Sequence, residues 1–176
     1  MKIFWFLLVF CFYGCTISLD GPEQPVKYVD LEKFMGKWYV IAFTPTFVDE
    51  GAENGIETYR LGEDGNIEIE YTFSIDGEFE SHLQTGIVQP DPSNAKWRLK
   101  YNWLLSFDYY LIVEIDPEYE YTAIGVPDRS YVWVMSREKK MDEKLLVEIL
   151  TRLKERGYDM ETVSYTHLTL PTKRIV

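Results

Sequence analysis

From Trp38 onward the chain repeats one device: a run of β-branched and aromatic residues alternating with polar ones, a tight turn, then another run. Ile67, Ile69, Tyr71 and Phe73 alternate with Glu68, Glu70 and Thr72, and Trp97, Leu99, Tyr101 and Trp103 alternate with Arg98, Lys100 and Asn102. Successive side chains of a strand point to opposite faces, so each of these strands has one dry face and one wet one. Asp64-Gly65 and Asp76-Gly77 accept the positive φ of tight hairpins, while Pro90 to Asn94, Asp116 to Glu118 and Pro127 to Arg129 supply later turns. The pattern predicts eight strands, near 38–45, 56–62, 66–75, 78–88, 96–104, 108–116, 120–126 and 130–137. Short connections make sequential strands pair, and an open sheet would leave two sticky edges. The predicted fold is therefore all-β, an eight-stranded antiparallel up-and-down barrel. A two-sheet sandwich is the rival, but it needs longer crossovers, and only the Thr44 to Asn54 connection is long.

After Arg137 the period changes. Leu145, Leu146, Ile149, Leu150 and Leu153 recur at helical spacing, with Asp142 able to cap the start and Gly157 placed to end it. One C-terminal helix is expected to pack its leucines on the barrel wall. Ser164 to Val176 continues no period and is read as an unrelated tail, a cloning or assembly scar outside a domain spanning 30–163.

At the other end, Met1-Lys2 precedes an uncharged run from Ile3 to Tyr13 and then Gly14-Cys15, the layout of an export signal over residues 1–14. The run is far shorter than the roughly twenty residues of a membrane-spanning helix. Phe12-Tyr13-Gly14-Cys15 resembles the lipobox of bacterial lipoproteins, although Phe12 and Tyr13 depart from its usual pattern. The resemblance implies acylation at Cys15, a lipid anchor in the outer membrane facing the periplasm, and an extended anchor and linker over 15–29 in which little chemistry is expected.

Composition removes several classes of function. A formal charge of −11 repels nucleic acid and anionic lipid surfaces. The two cysteines, Cys11 and Cys15, cannot staple the domain, and His82 is the lone histidine within it, so Cys-His chemistry and His/Cys metal clusters lack their residues. His82 alternates with Leu83 and is expected to face solvent. Glu78 and Glu80, or Asp49, Glu50 and Glu53, could in principle hold Ca²⁺, but solvated charge is the simpler reading. No Gly-rich phosphate loop appears, and neither a cofactor nor catalysis is expected.

Two segments carry a resemblance. Phe34-Met35-Gly36-Lys37-Trp38-Tyr39-Val40-Ile41-Ala42 resembles the Gly-x-Trp signature that opens lipocalins, and Gly125 to Arg137 resembles the end of the lipocalin barrel, its bacterial outer-membrane lipoprotein branch in particular. In that family the Trp and Arg at the positions of Trp38 and Arg137 form a structural lock, with Gly36 beside them. Many bacterial members have Glu where this chain has Val40. The family implies a small hydrophobic ligand, a fatty acid or lysophospholipid, held without covalent chemistry by a monomer or weak homodimer. From the alternation, the inward candidates for the lining are Val40, Ala42, Tyr59, Ile69, Tyr71, Leu83, Trp97, Leu99, Tyr101 and Trp103, with Phe47 and Gly51 in a loop that could act as a lid. The alternatives are a barrel filled by its own aromatics, or an envelope protein working through partners by exposed rings such as Trp133 or Tyr109.

Overall fold

The computed structural model describes residues 21–101 and 106–166. Eight strands run in chain order: β1 (Gly36–Phe43), β2 (Glu53–Leu61), β3 (Ile67–Ile75), β4 (Glu78–Val88), β5 (Lys96–Lys100), β6 (Ser106–Ile115), β7 (Tyr121–Gly125) and β8 (Val132–Ser136). Each pairs antiparallel with the next, and β1 pairs with both β8 and β2. Pairing of the first strand with the last removes both edges and closes the barrel.

The turns that close these hairpins carry the backbone strain their residues suit. Gly65 and Gly77 lie at φ of 78° and 84°, and Asp76 precedes Gly77 at 52°. A four-residue helix, α1 (Leu31–Phe34), crosses one end of the barrel, with the Asp30 carboxylate accepting from the Glu32 and Lys33 amides. The longer α2 (Glu143–Glu155) starts where Asp142 accepts from the Leu145 amide and stops at Gly157 (φ 95°). Its buried face, Leu146, Ile149, Leu150 and Leu153, packs on Ile41, Leu111, Val113, Val132 and Val134 of the outer wall. A second core, inside the barrel, gathers Phe34, Trp38, Val40, Tyr59, Ile69, Tyr71, Phe73, Trp97, Tyr110, Ile112 and Met135.

Three expectations change. The pairing of β1 with β8 slips between Val40 and Ala42, so the extra residue Ile41 and its neighbour Ala42 both face α2. Such a bulge reverses the inside–outside alternation, and Phe43 is the next residue to point inward. Ala42 therefore lies outside the lining. On β4, the register sets Tyr71 opposite His82 and Ile69 opposite Gln84, so the inner row is His82, Gln84 and Gly86. Leu83, expected inside, points outward and is 70% exposed. His82, expected in solvent, stacks on the inward ring of Phe73 at 5.3 Å and 11°.

The described part of the 15–29 segment is extended, yet it is fastened. Val29 is fully buried, and the amides of Glu23, Val26 and Val29 donate to Pro127, Ile112 and Ser93 carbonyls at 2.7–2.8 Å. Glu23, 6% exposed, pairs with Arg156 at 2.6 Å and Arg129 at 3.3 Å. Where little chemistry was expected, an ion cluster joins the segment to the end of α2 and to the β7–β8 turn. At the other end, a 3₁₀ turn (Met160–Thr162) leads into a two-residue strand, β9 (Ser164–Tyr165), paired with Ala42 and Phe43. The first residues of the stretch read as an unrelated tail thus lie against the barrel, because β1 has diverged from β2 there and offers an unpaired edge.

Candidate functional site

The interior is layered along its axis. At the closed end, Phe34 from α1 meets Trp38, Tyr59 and Trp97 with ring centroids 5.2–5.5 Å apart, two of the three contacts edge-on. The indole N–H groups are satisfied by main chain: Trp38 Nε1 donates to the Phe34 carbonyl and Trp97 Nε1 to that of Asn94, both at 2.8 Å. Gly86 makes this packing possible, since a Cβ there would sit 3.1 Å from Trp97 Cε3 and 3.3 Å from Ile69 Cδ1. From below, Arg137 lays its guanidinium over the Trp38 ring, 3.7 Å from the centroid. The same group donates to the carbonyls of Lys33 (2.6 Å), Lys37 (2.9 Å), Phe34 (3.2 Å) and Tyr119 (3.3 Å), holding α1, β1 and the β6–β7 turn together. Gly36 takes φ 95°, a conformation side chains disfavour, and its backbone lies beside Arg137 Nη1.

Above this floor the lining becomes polar. Glu57, opposite Trp38 and Tyr71 in the register, is 7% exposed. Tyr59 and Tyr110 converge on its Oε2, Tyr110 from 3.3 Å, and the two phenols also touch each other. Burial, with Asp49 nearby, pushes the Glu57 carboxyl up to about 8, against the hydrogen bond from Tyr110. Asp49 belongs to the β1–β2 loop but is 2% exposed: its Oδ1 accepts from the Thr46 amide and hydroxyl at 2.6 Å, and its Oδ2 receives the Tyr71 hydroxyl at 3.4 Å. Burial raises Asp49 above the usual carboxylate range despite these bonds, and burial beside the two acids raises Tyr71, Tyr101 and Tyr110. At the mouth, Ile75, Leu99 and Trp133 are half-buried against the inner core.

Of the lining candidates, Val40, Tyr59, Ile69, Tyr71 and Trp97 meet in the inner core, with Leu99 packed on it and Tyr101 half-buried beyond. Among these candidates Trp97 and Tyr59 pack edge-to-face, their rings 6.0 Å apart. Leu83 and Ala42 face away, while Trp103 and Cys15 lie outside the described residues. Phe47, in the expected lid, is 83% exposed, and it is the neighbouring Asp49 that turns inward. Sequence reading missed Glu57, Gln84 and Tyr110, and it took Asp49, with Glu50 and Glu53, for solvated charge, whereas Asp49 is buried. Glu57 was findable, two residues from the inward Tyr59 on the same strand; Asp49, in a loop, left no periodic signal.

A family model described as a lipocalin-like domain matches residues 29–167. The chain belongs to the lipocalin family. Members of this family bind small hydrophobic ligands and are in general carriers rather than enzymes. Among curated relatives, temperature-induced lipocalin-1 of Arabidopsis thaliana is 29% identical over 155 residues, 81% of each chain. The outer membrane lipoprotein Blc of Vibrio cholerae is 26% identical over 159 residues, 86% of this chain and 93% of that one. The Blc of Escherichia coli K12 is 26% identical over 152 residues, 82% and 85% of the two chains. The resemblance to the bacterial outer-membrane lipoproteins thus extends over nearly the whole lipocalin, though its relatives include a plant protein as well. Among solved structures, insecticyanin from the tobacco hornworm Manduca sexta superimposes with a TM-score of 0.67 at 17% identity, over 84% of this chain and 85% of its own. That likeness establishes the fold.

Proposed function

We propose that this lipocalin binds and carries a single-chain amphiphile, of the fatty acid or lysophospholipid class, within its barrel in a bacterial cell envelope. The observation that carries the reading is the change of lining along the axis. The closed end is packed with rings, whereas Ile75, Leu99 and Trp133 near the mouth are half-buried against the inner core. Apolar inner-row side chains that the described residues cover only in part are what an aliphatic chain would cover, with phenols in reach to orient a polar group. The envelope part of the proposal leans on the Blc relatives, named as outer membrane lipoproteins, and on the Gly14-Cys15 pair.

Calorimetric titration of the purified protein with a long-chain fatty acid and a lysophospholipid tests it. Saturable one-to-one binding with a negative heat-capacity change is the expected result. Absence of heat for both, with no displacement of a fluorescent lipid, would overturn it in favour of a filled barrel that acts through its outer surface. Palmitate labelling of the cells that make the protein, compared with a Cys15→Ser variant, tests the anchor.

A further inference from the structure

The middle of the barrel holds more polar chemistry than a container for hydrocarbon requires. Glu57, Tyr59, Tyr110, Asp49 and Tyr71 are buried together, and the groups that act on them are one another, Thr46 and Tyr101. Among the described residues no lysine or arginine supplies a counter-charge to this set; at the rim stand His82 and Glu80, 4.0 Å apart. A second feature is independent of the acids. Gln84 lies on the inner row of β4, in line with Tyr59 through Ile69, and is 8% exposed. Its side-chain amide has no hydrogen-bond partner among the described residues. An inward amide that the protein itself does not bond is a place where an occupant's polar group gains a hydrogen bond.

We propose that Gln84 and the Glu57–Tyr59–Tyr110 set, roofed by Asp49, select amphiphiles whose polar group inside the barrel is uncharged and can both donate and accept a hydrogen bond, and that they refuse a free carboxylate. The inference rests on the barrel being a binding site, as proposed above, and narrows the class it takes to alcohols, amides and hydroxyl-bearing esters. Of the two classes named there, it keeps the hydroxyl-bearing lysophospholipid and admits a fatty acid only in its protonated form. Hydrogen-bond arithmetic supports it. Both phenols converge on Glu57 Oε2, leaving Oε1 as the carboxyl's second bonding atom. A hydroxyl can satisfy Oε1 whether it carries a proton or not, and an amide or hydroxyl can also pair with both ends of Gln84. A carboxylate only accepts. It would need Glu57 protonated and would add a further negative charge beside Asp49 in a site of low dielectric.

The test is displacement of the neutral dye N-phenyl-1-naphthylamine from the full-length protein by tetradecanol and by tetradecanoate, from about pH 5.5 to about pH 8.5. The alcohol is expected to displace with little pH dependence. The acid should weaken by about tenfold or more across the range, as it and Glu57 lose their protons. In Glu57→Gln the acid's loss should shrink, because one of the two titrations is gone. Gln84→Leu should lower the alcohol's affinity several-fold more than it changes the dye's, since the hydroxyl is the group the amide bonds. Equal displacement by acid and alcohol at the alkaline end in the wild-type protein would overturn the proposal, and that measurement needs no variant to fold. Failure of the dye and both ligands to bind would be a different result, overturning the binding reading itself and this inference with it.

Discussion

The closed end and the middle of the same barrel are both rich in aromatic rings, and they use them in opposite ways. At the closed end the two indoles donate to main-chain carbonyls, Phe34 meets Tyr59 and Trp97 edge-on, and the one charge, Arg137, is applied from outside. In the middle the rings are tyrosines, and their hydroxyls face buried carboxyl groups. The first arrangement is complete in itself: it depends on contact and on bonds that no change of pH removes. The second is conditional, because its charge depends on protonation and on what else is present. Stability and the proposed recognition are thus separated along the axis, and the separation can be attacked from either end.

The largest effect should come from the floor. Trp38→Ala removes a fully buried indole and its bond to Phe34, which large-to-small changes of this kind put at about 3–5 kcal/mol. Chemical denaturation should show the midpoint shifted down; an unchanged midpoint would mean that the floor does not hold the barrel closed. Arg137→Ala follows at about 2 kcal/mol, for the lost stacking and the unbonded carbonyls of α1. Arg137→Lys should recover less than half of that, since an ammonium has no planar fork to reach Lys33, Lys37 and Tyr119 at once. Full recovery by lysine would show that charge alone mattered.

Glu57→Gln probes the conditional half. Its folded-state value lies near 8 against an ordinary 4.5, so folding takes up a proton between those limits. That contribution to stability is fully present below about 4.5 and is lost as pH rises through about 8. Asp49, also raised by burial, acts in the same direction, whereas Asp64, Asp91 and Asp128 are lowered and matter only toward acid. The wild-type protein should therefore lose stability as pH rises from about 4.5 to about 8, and Glu57→Gln should flatten that slope. At about pH 8.5 the variant should be the more stable by about 1–2 kcal/mol, since it carries no buried charge there. Melting curves at a series of pH values check this, and parallel profiles for the two proteins would sink it.

What was legible follows the same division. The barrel, its turns and the helix could be read because alternation, Asp-Gly pairs and an i, i+3, i+4 run are local signals, and Asp142 caps α2 where the pattern put it. The face of each strand was less legible. Ile41 is an unremarkable strand residue, and nothing near it marks the bulge that turns Ala42 away from the lining; only the pairing with β8 does. Glu57 was overlooked because an acid on a strand is ordinarily taken to face water, although its spacing from Tyr59 set it on the inner row. Asp49 reaches the interior by a loop path that period-two reasoning does not describe. The floor could be read from residue types, whereas the polar middle depends on register.

The smallest expected effect bears on that register. Hydrophobicity alone puts Leu83 inside and His82 outside; the pairing of β3 with β4 puts them the other way round. Leu83→Ser should then change stability by less than about 0.5 kcal/mol, because its side chain already meets water, and should leave dye binding untouched. His82→Ala instead uncovers one face of Phe73 on the inner wall and should weaken dye binding measurably while costing about 1 kcal/mol. The two variants are neighbours in sequence and differ only in which side of the sheet they alter, so a conformational change common to the strand would affect both alike. If Leu83→Ser were the damaging one, β4 would be shifted by one residue, Gln84 would face solvent, and the middle of the barrel would lose the amide on which its proposed selectivity depends.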